Sequence, residues 1–183
     1  MATAAETTTK WVIDPMHSEV QFKVKHLVIS TVTGFFKSFN GELDTVNDDF
    51  QDSEISFALN IDSIDTNQGQ RDGHLKSPEF FDAEKYPQIT FKSTSFKKTG
   101  EDDEFELIGD LTIKGVTKQV TLAAEYGGST QDFYGNTKAG FEVTGKINRK
   151  DFGLTWDGVT EGGSIVVGED IKLIINVQFA KQA

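Results

Sequence analysis

The sequence contains no cysteine, so it cannot form a disulfide, a thiolate nucleophile, a zinc ribbon or an iron–sulfur cluster. Basic residues are also few: 18 Lys and Arg stand against 29 Asp and Glu, which gives a formal net charge of −11. An acidic excess of this size repels phosphate backbones and anionic lipid surfaces, because no cationic stripe can displace their counterions. We therefore expect no nucleic-acid partner. No uncharged apolar run approaches the roughly 18 residues that cross a bilayer, so we expect no integral membrane association.

Motifs for metal binding and catalysis are equally scarce. The three histidines, His17, His26 and His74, lack close ligand spacing such as H-x-x-x-H, which argues against a dedicated metal site. The chain has no G-x-S-x-G elbow, and its glycine clusters do not form a phosphate loop between a strand and a helix. We predict no catalytic residue, no metal site and no required cofactor.

A length of 183 residues suits one domain. We predict a flexible N-terminal segment over residues 1–10 and a single domain over residues 11–183. The first ten residues, MATAAETTTK, lack the basic start and the apolar run of a secretory signal. As the sequence stands we expect a cytoplasmic protein. If a native leader was removed, we expect a periplasmic or secreted one.

Phenylalanine is the residue in excess, with 15 Phe against 3 Tyr and 2 Trp. From Trp11 onward apolar residues recur at alternate positions, a period typical of strands with one face in an apolar interior. This pattern predicts eight long strands. Their inward residues are Val20, Phe22, Val24 and His26; Phe35, Phe39 and Leu43; Ile55, Phe57, Leu59 and Ile61; Ile89 and Phe91; Phe105, Leu107, Leu111 and Ile113; Val120, Leu122, Ala124 and Tyr126; Phe141, Val143 and Ile147; and Ile171, Leu173, Ile175, Val177 and Phe179.

The links between these strands are mostly short and turn-rich, which favours antiparallel hairpins over helical crossovers. Two links are longer. Residues 66–86 lack alternation and contain Ser77-Pro78-Glu79, in which Ser would cap a helix and Pro would occupy its first position, so we predict one or two short helices there. Residues 149–168 are rich in Gly and Asp and contain Trp156, which predicts an ordered loop over one end of the sheet.

Eight antiparallel strands with one apolar face each can form a sandwich or close into a barrel. Closure removes exposed edges, and an eight-stranded barrel either fills with side chains or holds one small ligand. A filled barrel and a hollow one show the same alternation, so periodicity leaves this choice open.

Specific segments resemble the YceI-like proteins, a lipocalin-like family that binds polyisoprenoids. The matching segments run in order over nearly the whole chain, from about residue 11 to 180. They are Asp14-Pro15-Met16-His17-Ser18, Phe22-Lys23-Val24-Lys25-His26-Leu27, Gly34-Phe35-Phe36, Ser63-Ile64-Asp65-Thr66, Arg71-Asp72-Gly73-His74-Leu75-Lys76-Ser77, Phe80-Phe81-Asp82, Tyr86-Pro87, Ile89-Thr90-Phe91, Gly109-Asp110-Leu111-Thr112-Ile113-Lys114-Gly115-Val116-Thr117 and Asn148-Arg149-Lys150-Asp151-Phe152-Gly153.

The resemblance implies an all-β fold: an extended eight-stranded antiparallel lipocalin-like β-barrel with a short helical insertion at about residues 66–86. It also implies a homodimer, and a long isoprenoid or similar amphiphilic lipid held inside the barrel for storage or transport. We expect no catalysis. The predicted contacts to the lipid chain are Phe22, Leu27, Phe35, Phe39, Leu75, Phe80, Phe91, Leu111, Phe141 and Trp156, with His26 and Arg71 at the headgroup.

Each headgroup residue also has a structural alternative. His26 could be a core histidine with its hydrogen bonds satisfied, and Arg71 with Asp72 could fasten the helix over the barrel. Two other functions stay open at the level of sequence. One is a cofactor-independent enzyme that uses Asp14 with His17 or His26 on an apolar substrate in the same pocket. The other is a stress-associated interaction protein with a packed core.

Overall fold

Strands dominate the computed structural model, which describes residues 8–27, 29–46, 49–100, 103–156 and 167–182. The strands are β1 (Thr9–Ile13), β2 (Glu19–His26), β3 (Ser30–Phe36), β4 (Phe39–Thr45), β5 (Glu54–Asn60), β6 (Ile64–Asp65), β7 (Gln88–Lys98), β8 (Glu104–Ile113), β9 (Val116–Gln131), β10 (Thr137–Asn148) and β11 (Val167–Lys181). Helix α1 spans Gly69–Lys76, and 3₁₀ turns occupy Pro15–His17, Ile61–Ser63 and Arg149–Phe152.

The sheet closes on itself into an antiparallel barrel of eight strands. Their order is β1, β4, β5, β7, β8, β9, β10 and β11, and β11 pairs with β1 to complete the ring. At the closure Trp11 of β1 lies opposite Leu43 of β4 on one side and Lys181 of β11 on the other. The predicted eight-stranded β-barrel with a short helix is therefore confirmed.

The three remaining strands lengthen this barrel at one end. β11 pairs with β1 near its C-terminus and with β2 along the rest of its length, so β1 and β2 are two halves of one ribbon. The same holds for β3 with β4, and for β5 with β6. Three of the eight ribbons of the barrel are thus interrupted. In the first, Pro15 begins a 3₁₀ turn that Asp14 caps by accepting a hydrogen bond from the backbone N–H of Met16 at 3.0 Å.

The Asp14 carboxylate at this break is held by two further side chains. Its Oδ2 lies 2.7 Å from Nζ of Lys138 and 2.8 Å from Nδ1 of His17. The hydrogen bond from Lys138, followed by that from His17, lowers the pKa of Asp14 from 3.8 to about 2. Asp14 and Lys138 are mostly buried, so water screens this pair less than an exposed one.

We expect the Asp14 contacts to stabilise the fold at neutral pH. Because the pKa of Asp14 is lower in the folded state, its contribution is complete above about pH 4 and is lost as the pH falls towards 2. Asp14→Asn should lower the free energy of unfolding by about 1 to 2 kcal/mol at pH 7, and the two proteins should converge near pH 2. Urea unfolding across this pH range measures the difference. Asp110→Asn, at an exposed position, is the control; a pH-independent loss in Asp14→Asn would contradict the prediction.

One predicted strand face is wrong in detail. Alternation predicts Phe35 inward together with Phe39 and Leu43, but Phe36 is buried instead, and Phe35 lies on the other face of β3, where Gln21 and Asp65 are its cross-strand neighbours. The physical reason is the interruption between β3 and β4. Two residues outside the ladder shift the parity, so Phe36 and Phe39 both face inward although they are three residues apart.

The helical insertion contains one α-helix, and its boundary differs from the prediction. Ser77 is the C-cap of α1, not the N-cap of a second helix: its backbone N–H donates to the carbonyl of His74 at 3.1 Å. Pro78 then turns the chain, and the N–H groups of Phe80 and Asp82 both donate to the Ser77 carbonyl. Residues 78–86 therefore form turns. Within the described residues no helix has the length and apolar character needed to cross a membrane.

Two predicted segments extend beyond the described residues. Of the N-terminal segment 1–10, residues 1–7 lie outside them, whereas Thr9 and Lys10 belong to β1, in which Lys10 pairs with Asp44. Of the predicted loop over residues 149–168, residues 157–166 lie outside the described residues.

Candidate ligand-binding cavity

The barrel encloses a cavity of about 520 Å³, which is within the range usual for small-molecule pockets. Its wall is almost entirely apolar and is contributed by inward-facing residues of all eight ribbons, among them Val20, Phe57, Leu107, Val143 and Ile175. The cavity argues against the packed-core alternative, because a filled barrel would leave no such space.

Aromatic rings close the barrel at the end away from α1. Phe50, in the β4–β5 connection, has a φ of +66° and is only 3% exposed, because the connection folds its ring into the barrel. The Phe50 ring centroid lies 5.2 Å from that of Trp11, 5.4 Å from Tyr126 and 5.3 Å from Phe141. These distances are typical of packed aromatic pairs. The far end of the cavity is therefore closed by a cluster of aromatic rings, here called the plug, which includes Trp11, Phe50, Tyr126 and Phe141.

Phe141 is the centre of this plug. Besides Phe50 and Tyr126 it packs against Phe96, Phe105 and Phe179, with centroids 6.0 to 6.3 Å apart. Of these residues Phe96, Phe141 and Phe179 also line the cavity and form its floor. Much of the phenylalanine excess thus builds a floor as well as a wall.

The polar lining residues gather at the opposite end, beside α1. The polar residues at this end are Lys25, His26, Thr66, Gln68, Gln70, Arg71, His74 and Arg149. Gln21 of β2 also lines the cavity, but it lies away from this end. Among the described lining residues none is Asp or Glu, although the whole chain has more acidic than basic side chains. The cavity therefore has an apolar body and a polar, basic mouth.

Arg71 is tethered at this mouth by Thr66, which is only 3% exposed. The Arg71 Nε donates to Thr66 Oγ1 at 2.8 Å, and Nη2 donates to the Thr66 carbonyl at 2.6 Å. Asp72 accepts from the backbone N–H and the hydroxyl of the same Thr66, at 2.9 and 2.5 Å. Two of the five guanidinium N–H groups thus fasten α1, and a side chain with this many donors can still bind a ligand.

Three side chains pack together beside the mouth. The His74 ring meets Phe80 and Trp156 edge-on, with centroid distances of 5.3 and 4.7 Å, and Phe80 lies 5.5 Å from Trp156. His74 Nε2 lies 2.7 Å from Glu79 Oε2. This cluster joins α1, the turns that follow it and the β10–β11 connection, and all three ring-bearing residues line the cavity.

Comparison with known proteins identifies the family. The family model for the YceI-like domain matches residues 11–179. The chain belongs to the YceI-like family. Protein YceI of Salmonella newport (strain SL254) is 41% identical over 166 residues, which cover 91% of this chain and 83% of that protein.

Solved structures agree with this fold. The YceI protein of Campylobacter jejuni is 34% identical, with a TM-score of 0.73 over 87% of this chain and 90% of that one. A polyisoprenoid-binding domain from Saccharophagus degradans, implicated in plant cell wall breakdown, has a TM-score of 0.71 over 94% of this chain and 98% of that one. It is 14% identical, so it shows a shared fold alone.

Nine of the twelve ligand contacts predicted for this YceI-like chain line the cavity. They are Phe22, His26, Arg71, Leu75, Phe80, Phe91, Leu111, Phe141 and Trp156. The other three do not. Leu27 lies in the turn after β2 with a φ of +53°, Phe35 is on the outer face of β3, and Phe39 is buried behind Phe57, with ring centroids 6.0 Å apart. Phe36 and Phe57 line the cavity in their place.

Sequence reasoning assigned no role to Arg149, which is 1% exposed. Its Nη1 donates to the carbonyls of Leu154 and Trp156 at 2.6 and 2.8 Å, and Nε and Nη2 donate to Gly168 and Val167 at 2.7 and 3.1 Å. One side chain thereby fixes both described ends of the β10–β11 connection and sets Trp156 at the mouth. Arg149 lies within the segment Asn148–Gly153 that resembles the family, and this resemblance is the sequence feature that could have identified it. The alternation of apolar residues gives no information about side chains that hold loops in place.

The groups considered for catalysis are divided between two places. Asp14 and His17 do not line the cavity, and Asp14 pairs with both His17 and Lys138. His26 does line it, and no side-chain hydrogen bond to its ring occurs among the described residues. Over the same part of the chain, no group of three or more His, Asp or Glu side chains is placed to hold a metal ion.

Proposed function

We propose that this YceI-like protein binds one long isoprenoid-like lipid inside the barrel, for storage or transport. The observation that carries the proposal is the shape and chemistry of the cavity. It is apolar along most of the barrel, closed by the Phe141 plug at one end, and its polar residues are concentrated at the other. An amphiphile with one polar head and one long apolar chain matches this arrangement, because each CH₂ removed from water contributes about 0.8 kcal/mol.

The distribution of polar residues along the cavity wall determines the orientation in which the lipid would bind. The chain would extend towards Phe96, Phe141 and Phe179 at the floor, and the head would stay at the mouth beside His26 and Arg71. The described charged residues that line the cavity are Lys25, Arg71 and Arg149, all basic. Of these, Lys25 and Arg71 favour a head rich in hydrogen-bond acceptors, such as a phosphate, a carboxylate, an amide or a quinone carbonyl.

Membership of the YceI-like family supports this proposal, as does the shared fold with a polyisoprenoid-binding domain. Binding of this kind uses no chemical step, so the proposal includes no catalytic residue and no required cofactor. The homodimer and the cytoplasmic location expected from the sequence stay predictions.

Native mass spectrometry and organic extraction test the proposal directly. Protein purified without detergent should carry close to one lipid per barrel, released on unfolding. After delipidation it should take up a long prenyl alcohol or prenyl phosphate but not a short prenol of one isoprene unit, which buries too few methylene groups to bind tightly. Protein that is repeatedly empty, and that takes up none of the long prenyl lipids, would overturn the proposal.

A further inference from the structure

Two inward-facing glycines lie directly beneath large side chains of the cavity wall. Gly34 of β3 is opposite Phe22 of β2, and both positions face the interior. A Cβ placed on Gly34 would overlap Cζ of the Phe22 ring and lie 2.6 Å from its Cε1. Gly145 of β10 stands in the same relation to Leu122 of β9, because a Cβ there would overlap the Leu122 Cδ2 methyl.

These overlaps define the positions of the Phe22 and Leu122 side chains. The Phe22 ring and the Leu122 methyl occupy the space that a side chain would fill on the neighbouring strand, so they lie flat against the wall. Because protein interiors are close-packed, filling either space would displace the covering side chain. The strands block outward movement, so the displaced group would move into the cavity.

We propose that Gly34 and Gly145 are specificity-determining residues: they set the internal width of the cavity and thereby admit a methyl-branched lipid chain. This inference rests on the proposed lipid-binding function. The two pairs lie on different strands, Phe22 with Gly34 on β2 and β3, and Leu122 with Gly145 on β9 and β10. Each widens the cavity at its own position. A narrower cavity would still accept a straight lipid chain but would exclude a lipid chain that carries methyl branches.

A third glycine of the barrel wall, Gly109 of β8, is unsuitable for substitution in an experiment on cavity width. A Cβ there would overlap the Phe91 ring, and it would also lie 2.6 Å from the backbone carbonyl oxygen of Lys92. A backbone atom cannot rotate away as a ring does, so substitution would strain the sheet. At Gly34 the three nearest atoms all belong to the Phe22 ring, and at Gly145 the only atom in overlap is a terminal methyl.

The test compares two alcohols on delipidated full-length protein by displacement of a fluorescent fatty probe. Phytanol and hexadecanol are both saturated alcohols with a sixteen-carbon main chain, and they differ only in the four methyl branches that phytanol carries. Gly34→Ala and Gly145→Ala should each bind phytanol about tenfold or more weakly than wild type, with a much smaller loss for hexadecanol. Gly34→Ala combined with Phe22→Ala should restore phytanol binding, because the displaced ring is then absent.

Gly127→Ala is the matched control, since Gly127 is an exposed strand glycine whose added Cβ would make only ordinary contact, 3.5 Å from the Gly140 carbonyl oxygen. It should bind both alcohols as wild type does. If the folded Gly34→Ala and Gly145→Ala variants bind phytanol as tightly as wild type does, the inference is overturned and the proposed function is left intact. An equal loss for both alcohols, or no rescue in the double variant, would also overturn it. Wild-type protein that binds neither alcohol would overturn the proposed function itself.

Discussion

Val143→Trp is expected to abolish most lipid uptake while leaving the barrel folded. Val143 lines the cavity on β10, where its cross-strand neighbours are Ala124 and Ile175. Because Ala124 is small, an indole at position 143 has room to extend into the cavity instead of into the sheet. An indole that displaces about four methylene groups of the guest would remove about 3 kcal/mol of binding, or about a hundredfold in affinity.

Uptake of a long prenyl alcohol by delipidated protein, followed by native mass spectrometry, measures this effect. Glu142→Trp is the matched control, because Glu142 precedes Val143 on the same strand and faces solvent. It should take up lipid like the wild type. Val143→Phe is a second variant that carries no polar N–H into the apolar cavity, so it separates blockage from loss of folding. Full uptake by folded Val143→Trp and Val143→Phe would show that the guest lies elsewhere.

Phe141→Ala is expected to cause the largest loss of stability of any single aromatic truncation in the plug. The Phe141 ring packs against five others, those of Phe50, Phe96, Phe105, Tyr126 and Phe179. Truncation would leave a cavity among rings that cannot collapse into it, because each is held by its own strand or by the β4–β5 connection. We expect a loss of about 3 to 5 kcal/mol in the free energy of unfolding.

Urea unfolding measures that loss, and the same chain supplies its control. Phe133 lies in the β9–β10 turn, a few residues before Phe141, and is fully exposed. Phe133→Ala should therefore change the free energy of unfolding by less than about 0.5 kcal/mol. Similar losses in the two variants would contradict the assignment of Phe141 to the centre of the plug.

Much of this architecture was predictable from the sequence because it depends on local patterns. Alternation over Phe105, Leu107, Leu111 and Ile113 matches the buried face of β8. The family segments identify a barrel with a helical insertion, and α1 lies within that insertion. Predictions failed where the local pattern is interrupted. Phe35 was assigned to the wrong face because the break at residues 37 and 38 changes the parity, and Ser77 ends a helix that it was expected to begin.

The functional residues that were missed act through tertiary contacts. Arg149 holds the carbonyls of four residues that are close in space but 5 to 19 positions away in the chain. Phe50 belongs to no alternating run, yet its ring reaches the centre of the plug because the β4–β5 connection folds inward. Neither role leaves a periodic signal in the sequence.

The sequence by itself determined the family, most of the strands and most of their apolar faces, because side-chain periodicity and ordered motifs are properties of the chain alone. Only the tertiary structure decided that the barrel is hollow, which end is closed and where its polar mouth lies. A filled barrel and a hollow one share the same alternation, and the difference depends on pairs such as Phe22 with Gly34, in which one strand leaves room for a side chain of the next. Such pairs form only when neighbouring strands align in register.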